Sequence, residues 1–249
     1  IVRKELISAG KWADIGLGFE GAHGMETGTI ARRSSSSWIL TTTGIQGHSS
    51  QVFGETLGYG AIFEASRIIN AFREELSEEQ YLTFNPGVML GGTDVIYDPI
   101  KARGTAFGKT NVVSQLVTVH GGIRTISINQ LEKAMAAMRE IASRNLPGTT
   151  AKIEFNTSYP PMEPTKANYA LLSKLESVNM DLGYGKLEPL DPSKRGAADI
   201  SFVAPYVDAA LAGMGPDGSG AHSENESLDL SSFPKTTARA AILIYRLTR

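Results

Sequence analysis

NVVSQLVTVHGGIRTISINQLEKAMAAMREIASRN, residues 111–145, changes its hydrophobic period partway along. The first nine residues, 111–119, are rich in valine and read as a strand. Further on, Leu131, Ala134, Met135, Met138 and Ile141 fall on one face of a helix. Ser127 and Gln130, three positions apart, have the spacing of a capping box that would start that helix. A strand, AKIEF (151–155), follows it.

Upstream, residues 58–77 predict a second helix, with Ile62, Ala65, Ile69, Phe72 and Leu76 on its apolar face. Strands are expected at 81–85 and 88–97. TIARRSSSSWILTTTG (29–44) reads as two strands around a polar tetraserine turn, with Arg32 and Arg33 on a solvated face. Residues 29–155 thus form a β-β-α-β-β-α-β unit, a compact α+β module. Before it lie a helix end at 2–9 stopped by Gly10, a short strand at 13–20 that ends in Glu20, and a glycine-rich loop at 21–28. After it come a helix at 165–178, a helix near 198–205, a strand-like LAGMG (211–215), a Gly/Ser loop and a final helix at 235–247. The natural organisation is an α/β domain (1–28 and 156–249) interrupted by an α+β module (29–155).

Bulk composition narrows the function. Apolar residues make up 41%, charged residues 20%, and the formal net charge is −2, so no electrostatic footprint for nucleic acid or an anionic membrane exists. No run approaches the length of a transmembrane helix. There is no cysteine, which excludes disulfides and thiolate metal sites. Any metal must be held by His, Asp and Glu, a donor set suited to zinc or another divalent ion in a hydrolytic site. No P-loop, no strand-linked GxGxxG and no G-x-S-x-G occurs. The compartment stays open.

Several residues could carry chemistry, each with a plain alternative. Glu20 ends an apolar strand, and α/β sheets gather ligands beyond strand carboxyl ends; it could equally be a solvated acid. His222 lies in GMGPDGSGAHSENE (213–226), as a zinc ligand with carboxylates nearby or as a surface histidine. His48, in GIQGHSS (44–50), is flanked by small residues that let a substrate approach, or it is an idle loop residue. Asn111 starts a strand and Arg124 ends one; the arginine fork matches a carboxylate or makes a structural ion pair. His23 reads as a loop residue and His120 as a strand residue.

Taken together, in order along the chain, these segments resemble the M20 family of metallopeptidases, which includes glutamate carboxypeptidase, aminoacylase and succinyl-diaminopimelate desuccinylase. ADIGLGFEGA (13–22) resembles the family strand ending in a metal-binding acid, and GIQGHSS the lid motif with its histidine. TNVVSQ (110–115) resembles Asn-Val-Ile-Pro with Val113 and Ser114 substituted, and GGIRT (121–125) resembles Gly-Asp-Ile-Arg with Gly122 for Asp. RGAADISF (195–202) resembles a glycine-rich turn before a helix, and GSGAHSENESLDLSSFP (218–234) the last metal-ligand loop.

The resemblance implies an α/β catalytic domain, partial here, interrupted by an α+β ferredoxin-like lid or dimerisation domain. It implies two zinc ions (or cobalt or manganese), with Glu20 and His222 as metal ligands. His48 would donate to the oxyanion, Asn111 and Arg124 would bind substrate, and a homodimer would form through the lid. The substrate would be a peptide or an N-acyl amino acid. The family's first metal histidine, bridging aspartate and paired glutamates precede the acid matched by Glu20, so this chain is expected to start just after them and to be inactive alone. A non-catalytic dimerisation module derived from such a peptidase is the alternative.

Overall fold

The computed structural model describes residues 2–249. Its helices are α1 (Val2–Gly10), α2 (Ala61–Leu76), α3 (Ile128–Ser143), α4 (Lys166–Asp181) and α5 (Phe233–Leu247). Its strands are β1 (Ile15–Leu17), β2 (Thr27–Gly28), β3 (Ser35–Gly44), β4 (Thr83–Gly92), β5 (Asp94–Asp98), β6 (Arg103–Phe107), β7 (Leu116–Arg124), β8 (Thr149–Tyr159), β9 (Glu188–Pro189), β10 (Ala209–Leu211), β11 (Gly218–Ser219) and β12 (Ser227–Leu228). The chain divides into two compact units, Ser35–Ser158 and the remainder up to Ser34 with Tyr159–Arg249. Among the described residues no helix is long and apolar enough to cross a membrane.

The Ser35–Ser158 unit is built on a four-stranded sheet in the order β4-β7-β3-β8. Alternation sets its inner face: Ser36, Trp38, Leu40 and Thr42 of β3 are buried, as are Val117, Val119 and Ile123 of β7. These pack under α2 and α3 in one core with Ile68, Phe72 and Met138. Trp38 and Phe72 meet edge to face, 5.9 Å between centroids. Trp38 also explains a glycine. A Cβ at Gly121, its register partner, would come within 2.2 Å of the indole, whose Nε1–H donates to Gly122 O (3.1 Å).

Several expectations need correction. The tetraserine is no turn: Ser35–Ser37 run inside β3, with Ser36 paired to Ile123 and Ser37 to Gly122. Small serines fit either face of a ladder, and the cross-strand hydrogen bonds outweigh their polar composition. The apolar face of α2 is turned from that expected. Ala61, Ala65, Ile68, Phe72 and Leu76 are buried, whereas Ile62 is exposed and Ile69 only partly buried. Glu64 is buried on this face, and its carboxylate ties α2 to the segment just after α3. Glu64 accepts from Arg67 Nε (3.1 Å) and Nη2 (2.7 Å), Asn145 Nδ2 (3.0 Å) and Leu146 N (3.1 Å).

The strand expected at 111–119 begins instead at Leu116 and runs to Arg124. The strand expected at 88–97 breaks at Thr93, and β5 and β6 form a hairpin. Its turn is closed by Asp98 Oδ1, which accepts from Ile100 N and Lys101 N. Tyr97 of this hairpin stacks on His120 of β7, 3.7 Å between centroids. The start of α3 is as read: Ser127 Oγ accepts from Gln130 N (3.0 Å). The Gln130 side chain reaches back one residue further than in a standard box, to Ile126 N (3.0 Å).

In the other unit, β1 and β10 pair in parallel, Ile15 with Ala209 and Leu17 with Leu211. The helix expected near 198–205 is two 3₁₀ turns, Asp199–Phe202 and Ala204–Tyr206, the second opened by Pro205. The strand read at 211–215 lies earlier, at Ala209–Leu211, and Gly213 at φ +66° turns the chain out of it. The Arg32 side chain is not solvated: Arg32 is 4% exposed.

Candidate active site

Beyond the carboxyl ends of β1 and β10 the two segments continue side by side. Gly18 N donates to Leu211 O, Met214 N to Gly18 O and Gly215 N to Glu20 O, at 2.8, 3.0 and 3.0 Å. Ala22 N then donates to Pro216 O (3.0 Å) and Gly24 N to Asp217 Oδ2 (3.1 Å). Gly215 fits there because it lacks a side chain: a Cβ would lie 2.6 Å from Phe19 O and 2.9 Å from Glu20 O. The loop bearing the expected metal acid is thus strapped to the loop that leads to His222.

His222 sits at the tip of a miniature hairpin whose arms are β11 and β12, with Gly218 opposite Leu228 and Ser219 opposite Ser227. Its backbone has φ +66°, a left-handed conformation costly for a non-glycine residue, and its side chain is exposed. A cavity of about 320 Å³ lies at this mouth, lined by Gly21, Ala22, Arg195, Asp217, Ala221 and Glu226 among others. Immediate neighbours of both Glu20 and His222 therefore face one space.

The electrostatics centre on two arginines. Arg32 Nη2 donates to Glu20 Oε2 (2.9 Å), and the Glu20 side chain is 46% exposed. Burial lowers the Arg32 pKa, the nearby Arg195 charge lowers it further, and Glu20 offsets part of this. Arg195 Nη2 donates to Gly21 O (2.6 Å). Sequence reasoning passed over both cations: Arg32 looked like half of a solvated pair, and Arg195 was noted only as the start of a glycine-rich turn.

The fit to a metal is incomplete within this chain. Glu20 and His222 supply one carboxylate and one imidazole, whereas a catalytic zinc usually takes three protein ligands. Among the described residues no three His, Asp or Glu side chains stand close enough to hold an ion. Asp217 is engaged elsewhere, accepting from Gly24 N and Gly218 N.

The three remaining candidates lie in the Ser35–Ser158 unit, and the fold brings two together. His48 bridges Val112, and Ser49 N donates to Asn111 O (2.9 Å). The exposed His48 ring caps the short turn Ser49–Gln51: its Nδ1 accepts from Ser50 N (3.2 Å) and contacts Ser50 Oγ (2.8 Å). Arg124 is separate. It ends β7 beside Thr83, while Asn111 lies before the start of that strand. At ~3.4 Å per residue, β7 itself runs roughly 27 Å from Leu116 to Arg124, so Arg124 stands at the end of the strand away from the 111–115 segment.

Residues 30–150 match the peptidase dimerisation domain family. No curated protein matches the sequence. Among solved structures, aminopeptidase PepT from Bacillus cereus ATCC 10987 is similar with a TM-score of 0.74 at 17% identity, over 100% of this chain and 63% of that one. A tripeptidase from Staphylococcus aureus subsp. aureus Mu50 gives 0.72 at 19% identity, over 97% and 59%. The Bacillus subtilis YXEP protein, described as a dinuclear metal binding peptidase from the M20 family, gives 0.63 at 15% identity, over 97% and 60%. At these identities the likeness is one of fold, and this chain spans about three-fifths of the length of each (63, 59 and 60%). Over residues 30–150 the chain is thus similar to the dimerisation domain of the M20 peptidases.

Proposed function

We propose that this chain is the C-terminal part of a metal-dependent M20-type hydrolase that cleaves the amide bond of a peptide or an N-acyl amino acid. The observation that carries the reading is the convergence of the Glu20 and His222 loops beyond the carboxyl ends of a parallel strand pair, where α/β sheets hold their ligands. Glu20 and His222 each give one ligand to a two-metal centre; a carboxylate and an imidazole suit zinc, with cobalt or manganese as alternatives. The further ligands and the general base come from residues outside this chain, which is inactive by itself. The metal, when bound, polarises the scissile carbonyl and lowers the pKa of its water.

What this chain's own residues do follows from their donors. His48 is a neutral donor to the developing oxyanion, and Asn111 beside it holds a polar group of the substrate. Arg124 takes a carboxylate in its planar fork. A dipeptide, at ~3.5 Å per residue, cannot touch both ends of β7. This supports a homodimer through the lid, in which one substrate is held by His48 and Asn111 of one protomer and Arg124 of the other. The βαββαβ order of β3, α2, β4, β7, α3 and β8, with sheet order β4-β7-β3-β8, supports the ferredoxin-like reading of that lid.

The test uses the protein with its upstream segment. Hydrolysis of a dipeptide and N-acyl amino acid panel is expected, abolished by a chelator and by Glu20→Gln or His222→Gln. Mixing His48→Asn with Arg124→Met protein should restore activity that neither shows alone. A rate indifferent to chelator and to both ligand variants refutes the assignment. A stable dimer without any hydrolysis leaves the non-catalytic dimerisation module.

A further inference from the structure

We propose that Ser50 is a positioning residue that holds His48 in one neutral tautomer, with Nδ1 as acceptor and Nε2–H as the free donor. The inference rests on the reading of His48 as an oxyanion donor, and its basis is the geometry of the cap. A backbone N–H can only donate, and that of Ser50 points at His48 Nδ1 from 3.2 Å. Protonated Nδ1 would set two hydrogens against each other. The Ser50 hydroxyl, 2.8 Å from the same nitrogen, can rotate to give a second donor. The hydrogen bond made by one ring nitrogen decides which nitrogen carries the proton.

The backbone beneath the ring is held too. His48 is extended at φ −71° and ψ 134° as it enters the turn. Val113 N donates to Gly47 O (2.9 Å) and Ser49 N to Asn111 O (2.9 Å), so the residues on both sides of His48 are strapped to 111–113. An oxyanion donor works only if its N–H already stands where charge develops. A free imidazole exchanges tautomers and spins about its side-chain bonds; this one is fixed in both respects without help from substrate.

The chain has 4 histidines, which makes the test direct. Nitrogen-15 NMR of the histidine-labelled chain, above the imidazole titration, reads the tautomer of each ring, assigned by replacing one histidine at a time. For His48, Nδ1 should sit at the limiting shift of an unprotonated nitrogen, while the exposed His23 and His222 give averaged values. Ser50→Ala keeps the backbone donor and removes only the serine hydroxyl beside Nδ1, so the limiting shift should persist. Ser50→Pro removes both donors and should move the signal to the averaged position; a short turn in this chain already accepts proline at this place, as at Pro205. A wild-type His48 that averages like His23 and His222, or one freed by Ser50→Ala, overturns the inference, whether or not Ser50→Pro folds. If His48→Asn leaves hydrolysis by the longer protein unchanged while the ring is locked, the oxyanion role falls and the lock stands.

Discussion

Replacing Glu64 by glutamine tests the clip between α2 and the end of α3. The Glu64 side chain is 0% exposed and its two oxygens accept four hydrogen bonds, two of them from Arg67. Glutamine keeps the size but turns one oxygen into an NH₂ that faces donors. The lost charge-assisted bond is worth ~1.5–3 kcal/mol, and a donor left without an acceptor costs ~1–3 kcal/mol more. Arg67 is 28% exposed and reaches water, which limits the loss, and the Asn145 amide can turn to accept. The net expectation is a destabilisation of about 2–3 kcal/mol, and of ~3–5 kcal/mol for Glu64→Ala, which also leaves a cavity.

Trp38 is the probe, buried in the same core; Trp12 is exposed and is removed by Trp12→Phe. With a urea slope of ~1–3 kcal/mol per molar, the midpoint should fall by roughly 1–2 M. The pH dependence gives a second check. Burial alone would raise the Glu64 pKa, but hydrogen bonds from Arg67, Asn145 and Leu146 together with the Arg67 charge outweigh it and leave it lowered. A carboxyl whose folded pKa lies below its unfolded pKa contributes stability fully above the unfolded value and loses it as pH falls through the folded one. The gap between wild type and Glu64→Gln should therefore be full at pH 7 and close below about pH 4. A midpoint unchanged at pH 7, or a gap that widens in acid, refutes the clip.

Gly121→Ala should destabilise the Ser35–Ser158 unit by ~1–3 kcal/mol through overpacking against Trp38, read as a lower urea midpoint and altered Trp38 emission. Arg239, 1% exposed on α5, has no carboxylate partner among the described residues, and burial lowers its pKa, a shift that Tyr184 partly opposes. Arg239→Met should leave thermal stability unchanged or raise it, by up to ~4 kcal/mol; a large loss would show that its contact with Met25 O matters more than its desolvation. Ser127→Ala should cost ~1 kcal/mol by removing the cap of α3, with a matching drop in the midpoint of the same unit.

Much of the Ser35–Ser158 fold was legible because its helices announce themselves: α3 combines a capping serine with an unbroken apolar face. Where polar residues were buried, the pattern misled. Glu64 carries no sign in the sequence that Asn145 and Leu146, far along the chain, will meet it, so the face of α2 was drawn around Ile62 instead. Arg32 looked solvated for the same reason, since Glu20 approaches it only after the chain has turned back. The serines of β3 were assigned to a turn by composition, although a ladder partner decides a strand more than its own residues do. The hairpin of β5 and β6 was hidden because β6, Arg-Gly-Thr-Ala-Phe, is exposed throughout and has no alternation to find. At the site, the sequence suggested Glu20, His222, His48, Asn111 and Arg124 by type and order. It could not say that His48 and Asn111 lie before the start of β7 while Arg124 ends it, because that depends on where the strand begins.

The pairing of Ile15 with Ala209 sets the order in which the protein can be made. Those partners lie on either side of the Ser35–Ser158 stretch, whereas every strand of the four-stranded sheet comes from one uninterrupted run of chain. As the polypeptide leaves the ribosome, that stretch can collapse while the last residues are still being added. The split unit must wait for its final third. The part of that unit before Ser35, where β1 has no partner until Ala209 is made, is then an exposed and vulnerable intermediate. Prior folding of the insert shortens the effective loop between Ser34 and Tyr159, which lowers the entropic cost of closing it. A nascent chain stalled before Ala209 should therefore yield a protease-resistant Ser35–Ser158 core while the residues just before Ser35 are digested.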